Sequence, residues 1–73
     1  MSDTLDLSFE TRAEPEGGFS ARCLQYSIFT QGDTWAELRE NITQAAQAFV
    51  FDRPGVRLII KIIEVREEFT LPT

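Results

Sequence analysis

An α+β fold is the architecture this sequence predicts, a small antiparallel sheet in the order β-β-β-α-β with one helix packed on one face. Three observations predict it. The N-terminal third alternates apolar and polar residues with period two, a central stretch repeats apolar residues at helical spacing, and residues 56–66 are dense in β-branched side chains. At 73 residues the chain forms a single domain over 1–73, with no room for a second core. Apolar residues make up 42% and charged residues 26%, a balance that supports a packed core and argues against disorder.

The first strand is expected over residues 4–12, where Leu5, Leu7 and Phe9 alternate with Asp6, Ser8 and Glu10. Residues 13–18, Ala-Glu-Pro-Glu-Gly-Gly, break that pattern and predict a hairpin loop. Residues 19–24 resume it with Phe19, Ala21 and Cys23 on one face, which predicts a second, antiparallel strand. A turn at Ser27 then leads into a short third strand over 28–31, closed by Gly32.

Gly32-Asp33-Thr34 reads as a helix start. Thr34 and Glu37 stand at capping-box spacing, and Asp33 places negative charge at the positive end of the helix dipole. A helix over 35–51 at about 100° per residue gathers Trp35, Leu38, Ile42, Ala45, Ala46 and Phe49 into one apolar stripe. Phe51 falls off that stripe and either begins the loop or anchors a contact. Asp52-Arg53-Pro54-Gly55 ends the helix, since proline cannot continue it. In the last strand, 56–66, Leu58, Ile60 and Ile62 face the helix, while Ile59, Ile63 and Val65 face away beside Lys61. One helix leaves that second apolar face uncovered. Either a bulge near Ile62-Ile63 shifts the register, or a second copy covers Ile59, Lys61, Ile63 and Val65, making the chain a homodimer or higher oligomer.

Composition excludes several functions. The sequence has no His and one Cys, which rules out histidine-based triads, histidine zinc sites and intrachain disulfides. Seven basic against twelve acidic residues give a net charge of -5, which disfavours binding nucleic acid through its phosphates and favours a basic partner. No apolar run approaches the roughly 20 residues that span a membrane. Met1–Asp6 has neither the basic nor the apolar stretch of a signal peptide, so a cytoplasmic location is expected. A metal-dependent nuclease needs convergent carboxylates. Asp6 and Glu10 are instead predicted on the outward face of the first strand, and Glu37 and Glu40 on the solvent side of the helix. The chain is therefore read as non-enzymatic, with no cofactor and no metal. Cys23 lies mid-strand on an apolar face and reads as a buried structural thiol.

Gly17-Gly18-Phe19-Ser20-Ala21-Arg22-Cys23-Leu24, followed by the run Thr30-Gln31-Gly32-Asp33-Thr34 with Glu37, Asn41 and Ile42 behind it, resembles the HicB-like antitoxin family over about residues 5–50. Cys23–Phe29 stands where that family usually carries a Pro-(Asp/Glu)-Leu-Pro-Gly segment. The resemblance implies a partial RNase H-like module that neutralises a small, basic, RNA-cleaving toxin of the HicA type by occluding it. Family members often add a C-terminal DNA-binding domain; none is legible here, so direct DNA binding is not expected. Glu14, Glu16, Glu64, Glu67 and Glu68 are the candidate acidic contacts for such a partner. The alternative is a stand-alone homo-oligomeric structural or binding protein without a toxin partner.

Overall fold

Two hairpin-linked turns, a helix and a returning strand build a four-stranded mixed sheet in the computed structural model, which describes residues 3–66 and 69–72. The elements are β1 (Thr4–Ala13), β2 (Phe19–Cys23), β3 (Phe29–Gly32), α1 (Trp35–Phe49) and β4 (Arg57–Val65), and the strand order is β3-β2-β1-β4. The β-β-β-α-β order and the helix on one face are as the sequence predicts. One strand direction differs, because β4 pairs with β1 in parallel. Two antiparallel turns make β3 parallel to β1. The helix then carries the chain back to the starting end, so β4 must run the same way as both.

The β1–β4 register is unbroken from Thr4↔Arg57 to Arg12↔Val65. There is no bulge near Ile62, and period-two alternation divides β4 cleanly. Leu58, Ile60 and Ile62 lie on the helix side, level with Leu5, Leu7 and Phe9. Ile59, Lys61, Ile63 and Val65 lie on the open side, level with Asp6, Ser8, Glu10 and Arg12.

The core sits where α1 crosses the sheet. Leu7, Phe9, Ala21 and Cys23 of the strands close on Leu38, Ile42 and Ala46 of the helix, and all are buried. Each large side chain among them contributes roughly 1.5–3 kcal/mol by leaving water. Thr11 extends the same face of β1 and is also buried; its hydroxyl donates to the Ile63 carbonyl at 3.2 Å, which satisfies it. The helix packs on β3 and β2 and scarcely touches β4. Leu58, Ile60 and Ile62 are consequently only partly buried.

α1 begins at the predicted cap. Thr34 has extended geometry, and its hydroxyl accepts the Glu37 N–H at 3.1 Å. The helix ends at Phe49, two residues short of expectation. Val50 leaves helical geometry (φ −115, ψ 13), and two successive turns, Arg53 N–H to the Val50 carbonyl and Val56 N–H to the Arg53 carbonyl, bring Arg57 to β1. Phe51 therefore begins the loop, 83% exposed.

Candidate functional site

β1 and β4 both finish at one end of the sheet, where the β1–β2 turn and the start of α1 also lie. Local chemistry brings these pieces together. In the turn, Gly17 and Gly18 take positive φ, 104° and 82°, and the Glu14 N–H donates to the Gly18 carbonyl at 2.9 Å. The Ser20 hydroxyl donates to the Glu14 carboxylate, which ties the turn to β2. A Cβ on Gly18 would sit 3.0 Å from the Gly32 carbonyl oxygen, and one on Gly32 would sit 2.7 Å from the Leu38 amide nitrogen. The hairpin turn, the end of β3 and the first turn of α1 thus touch backbone to backbone. The Asn41 side-chain amide donates to the Gln31 carbonyl at 2.7 Å and locks the helix to β3. Gly18, Gln31, Gly32, Thr34 and Asn41, which carry much of the family-like pattern, build this junction.

On that frame two clefts share the Phe19 ring. One, about 300 Å3, is lined by Glu14, Gly18, Gln31, Asp33 and Glu37 among others. The other, about 260 Å3, is lined by Thr11, Ala13, Trp35, Val65, Glu64 and Arg66 among others. Phe19 and Trp35 form an edge-to-face pair between them, with ring centroids 5.9 Å apart and planes at 79°. The helical stripe predicts Trp35 as core, yet it is 37% exposed. It is the first residue of α1, where the helix reaches the sheet's end and little remains to cover the indole. Proximity to a cap at the first helical position is the sequence signal that marks it.

Of the predicted acidic contacts, Glu14, Glu16 and Glu64 gather at this end. Glu67 and Glu68 lie outside the described residues. With Asp33 and Glu37, the described residues lining the clefts at this end include five carboxylates against Arg12 and Arg66, a net of three negative charges. At the opposite end Asp3 and Asp52 are balanced by Arg53 and Arg57. The acidic excess among the described residues is therefore directional.

The open sheet face is ordered by ion pairs. The Arg12 guanidinium donates to Glu10 at 2.8 Å, and Arg22 approaches the same oxygen at 3.6 Å. The hydrogen bond from Arg12 holds the Glu10 carboxyl below its usual range, against a smaller opposing effect of desolvation. Gln25 caps the edge of this face by accepting the Ser8 N–H at 2.9 Å and donating to the Ser8 hydroxyl at 3.2 Å. Ile59 and Ile63 stand beside this polar row, 45% and 44% exposed. Among the described residues no group of three carboxylate or cysteine side chains comes close enough to hold a metal ion. Cys23 is buried, and its thiol lies 3.5 Å from the Gln25 side-chain Oε1. No helix among the described residues is long and apolar enough to cross a membrane.

Compared with known proteins, the chain is 40% identical over 47 residues to a UPF0150 protein of Thermotoga maritima, a match that spans 64% of this chain and 67% of that protein. No family model matches the chain, and no solved structure matches it.

Proposed function

The chain belongs to the UPF0150 family, and we propose that it acts as a HicB-like, non-enzymatic protein-binding module in the cytoplasm, neutralising a small basic RNA-cleaving toxin of the HicA type. The observation that carries this reading is the end of the sheet at which Phe19 and Trp35 stand between Glu14, Asp33 and Glu37 on one side and Glu64 on the other. An exposed aromatic anchor inside a charged rim is the composition of a protein interface. The junction beneath it is held backbone to backbone, so the surface is preformed and binding orders little.

Neutralisation then needs no chemistry on this chain. The carboxylates draw in a basic surface, the indole fills an apolar recess on it, and the bulk of the domain keeps RNA from the toxin's catalytic groups. The resemblance of Thr30–Thr34, Glu37, Asn41 and Ile42 to HicB-like proteins supports the identity of the partner. Titration calorimetry with a HicA-like protein encoded beside this chain tests the proposal, together with an RNA-cleavage assay. The expected result is a heat of binding that weakens as ionic strength rises, and cleavage that stops at equivalence. Absence of both overturns the reading.

A further inference from the structure

β4 is an edge strand nine residues long, and its outer side is unpaired among the described residues. The direction of its backbone groups follows from two contacts. The Arg57 N–H donates to the Asp3 carbonyl at 2.8 Å, and the Ile63 carbonyl accepts from Thr11 at 3.2 Å, so odd-numbered residues of β4 point their N–H and C=O toward β1. Leu58, Ile60, Ile62 and Glu64 therefore point theirs outward. Edges of this length are normally blocked by proline, a bulge, charged side chains or a covering segment, and of these β4 carries only charges, with Lys61 at its centre. Residues 57–65 contain no proline, the register is unbroken, and the helix lies over β2 and β3. The other edge, β3, is only four residues long.

We propose that β4 pairs antiparallel with β4 of a second copy about a two-fold axis at Lys61, joining the two sheets into one of eight strands with both helices on the same face. The outward set is self-complementary in this register. Leu58 bonds Glu64 and Ile60 bonds Ile62 across the axis, each pair twice, for about eight backbone hydrogen bonds. On the helix side, Ile60 meets Ile62 of the second copy and extends the apolar layer that α1 leaves partly open. On the open side, Ile59 meets Ile63. Registers centred on Ile60 or Ile62 pair only seven of the nine residues and form about six such bonds. The Lys61 register brings two ammonium groups to the axis. That cost falls at an exposed site and is smaller than two lost backbone bonds.

A second copy suits this edge better than the basic partner proposed above. Among the described residues Arg57 and Lys61 make most of this edge basic, so a basic surface is drawn less to it than to the carboxylate-rich end of the sheet, which β4 reaches only with Glu64–Arg66. Antiparallel pairing also sets the Arg57 end of one strand beside the Glu64 end of the other. A strand of nine residues is about 30 Å long at roughly 3.3 Å per residue. Across the 16 Å thin dimension of the molecule, it buries about 1,000 Å2 in all. That area lies at the low end for a specific complex, and it predicts a dimer that dissociates in the micromolar range.

Sedimentation equilibrium of the full chain from about 1 to about 200 μM should show a rise from the 8.3 kDa chain mass to twice that value. Under oxidation Lys61→Cys should cross-link, because a non-hydrogen-bonded pair on the axis brings Cα atoms to about 4.5 Å. Ile62→Cys should not, because the two copies of residue 62 are then offset beyond the roughly 7 Å a disulfide spans. Lys61→Thr should tighten the dimer by about two- to fivefold. Ile63→Lys, at an exposed position on the outer face and diagonal to Arg57 and Lys61 of the second copy, should abolish it while leaving the thermal melt of the monomer cooperative. A chain mass unchanged over the whole concentration range overturns the proposal. So does an assembly cross-linked through residue 62 and not 61, or one indifferent to Ile63→Lys.

Discussion

Replacing Gly32 by alanine adds one methyl group at the place where β3, the hairpin turn and the helix meet. That methyl would lie 2.7 Å from the Leu38 amide nitrogen and 3.0 Å from its Cα, so it intrudes 0.7 Å inside the 3.4 Å at which ordinary contact begins. The obstructing atoms are backbone, held by the Leu38 N–H bond to the Thr34 carbonyl at 2.9 Å and by the Asn41 bond to Gln31. They yield only if the first turn of α1 moves off β3. Overpacking of this kind costs about 1–3 kcal/mol. The loss of unfolded-chain entropy on replacing glycine returns about 0.4–1 kcal/mol. A net cost of about 1–2 kcal/mol lowers the melting temperature of a domain this size by about 5–15 °C. Circular dichroism melts of the wild type and Gly32→Ala measure it, and amide exchange at Leu38 should quicken in the variant. Gly17→Ala is the contrast, since nothing lies within 4 Å of its Cβ and its cost comes only from a φ of 104°. A Gly32→Ala chain that melts with the wild type, with Leu38 as protected as before, would refute the close-approach argument.

Thr34→Ala removes the acceptor of the Glu37 N–H and should cost about 1 kcal/mol in urea unfolding, with Thr34→Ser restoring most of it. Trp35→Ala should weaken the proposed toxin complex at least tenfold by calorimetry, because it removes the anchor inside the acidic rim. The folded Glu10 carboxyl titrates below its usual value of 4.5, so its stabilising effect is present at neutral pH and is lost as pH falls through the lowered pKa. Wild type and Glu10→Gln should therefore differ slightly in melting temperature at pH 7 and converge in strong acid. A difference that grows on acidification contradicts that sign.

Local signals made most of the fold legible. Alternation in Leu5–Glu10 and Phe19–Cys23 placed two strands and their buried faces, and the Thr34 cap placed the helix start to the residue. The two-sided split of β4 was also readable, because a pleated strand alternates whatever its neighbour. The identity of that neighbour was not. Leu58, Ile60 and Ile62 have the same period whether they lie beside β1 or β3, and whether parallel or antiparallel, so the mixed sheet emerges only from the path of the chain. Glu14, Glu16 and Glu64 were legible as candidate contacts, but their gathering with Asp33 and Glu37 at one end was not. Glu14 and Glu64 are fifty positions apart in sequence and reach the same end of the sheet because β1 and β4 run together. Trp35 was misplaced because a helical wheel shows angle and not height. Its angle is within about 20° of that of Ile42 and Ala46, but it stands at the level where the sheet stops.

β1 is bordered by one strand made immediately after it and by another whose residues are each 53 positions away, Thr4 with Arg57 and Arg12 with Val65. During synthesis β1 and β2 can close their hairpin early, and β1 must then hold its other flank open until residues 57–65 have emerged. Non-local pairing of this kind slows folding. It also leaves a ready template on a nascent chain, which the second strand of a neighbouring polysome product could occupy in place of the rightful one. A ribosome that stalls before residue 57 would release a hairpin and helix lacking their last partner, with Leu5 and Leu7 at a bare margin, and such a fragment should depend on chaperones where the finished chain does not.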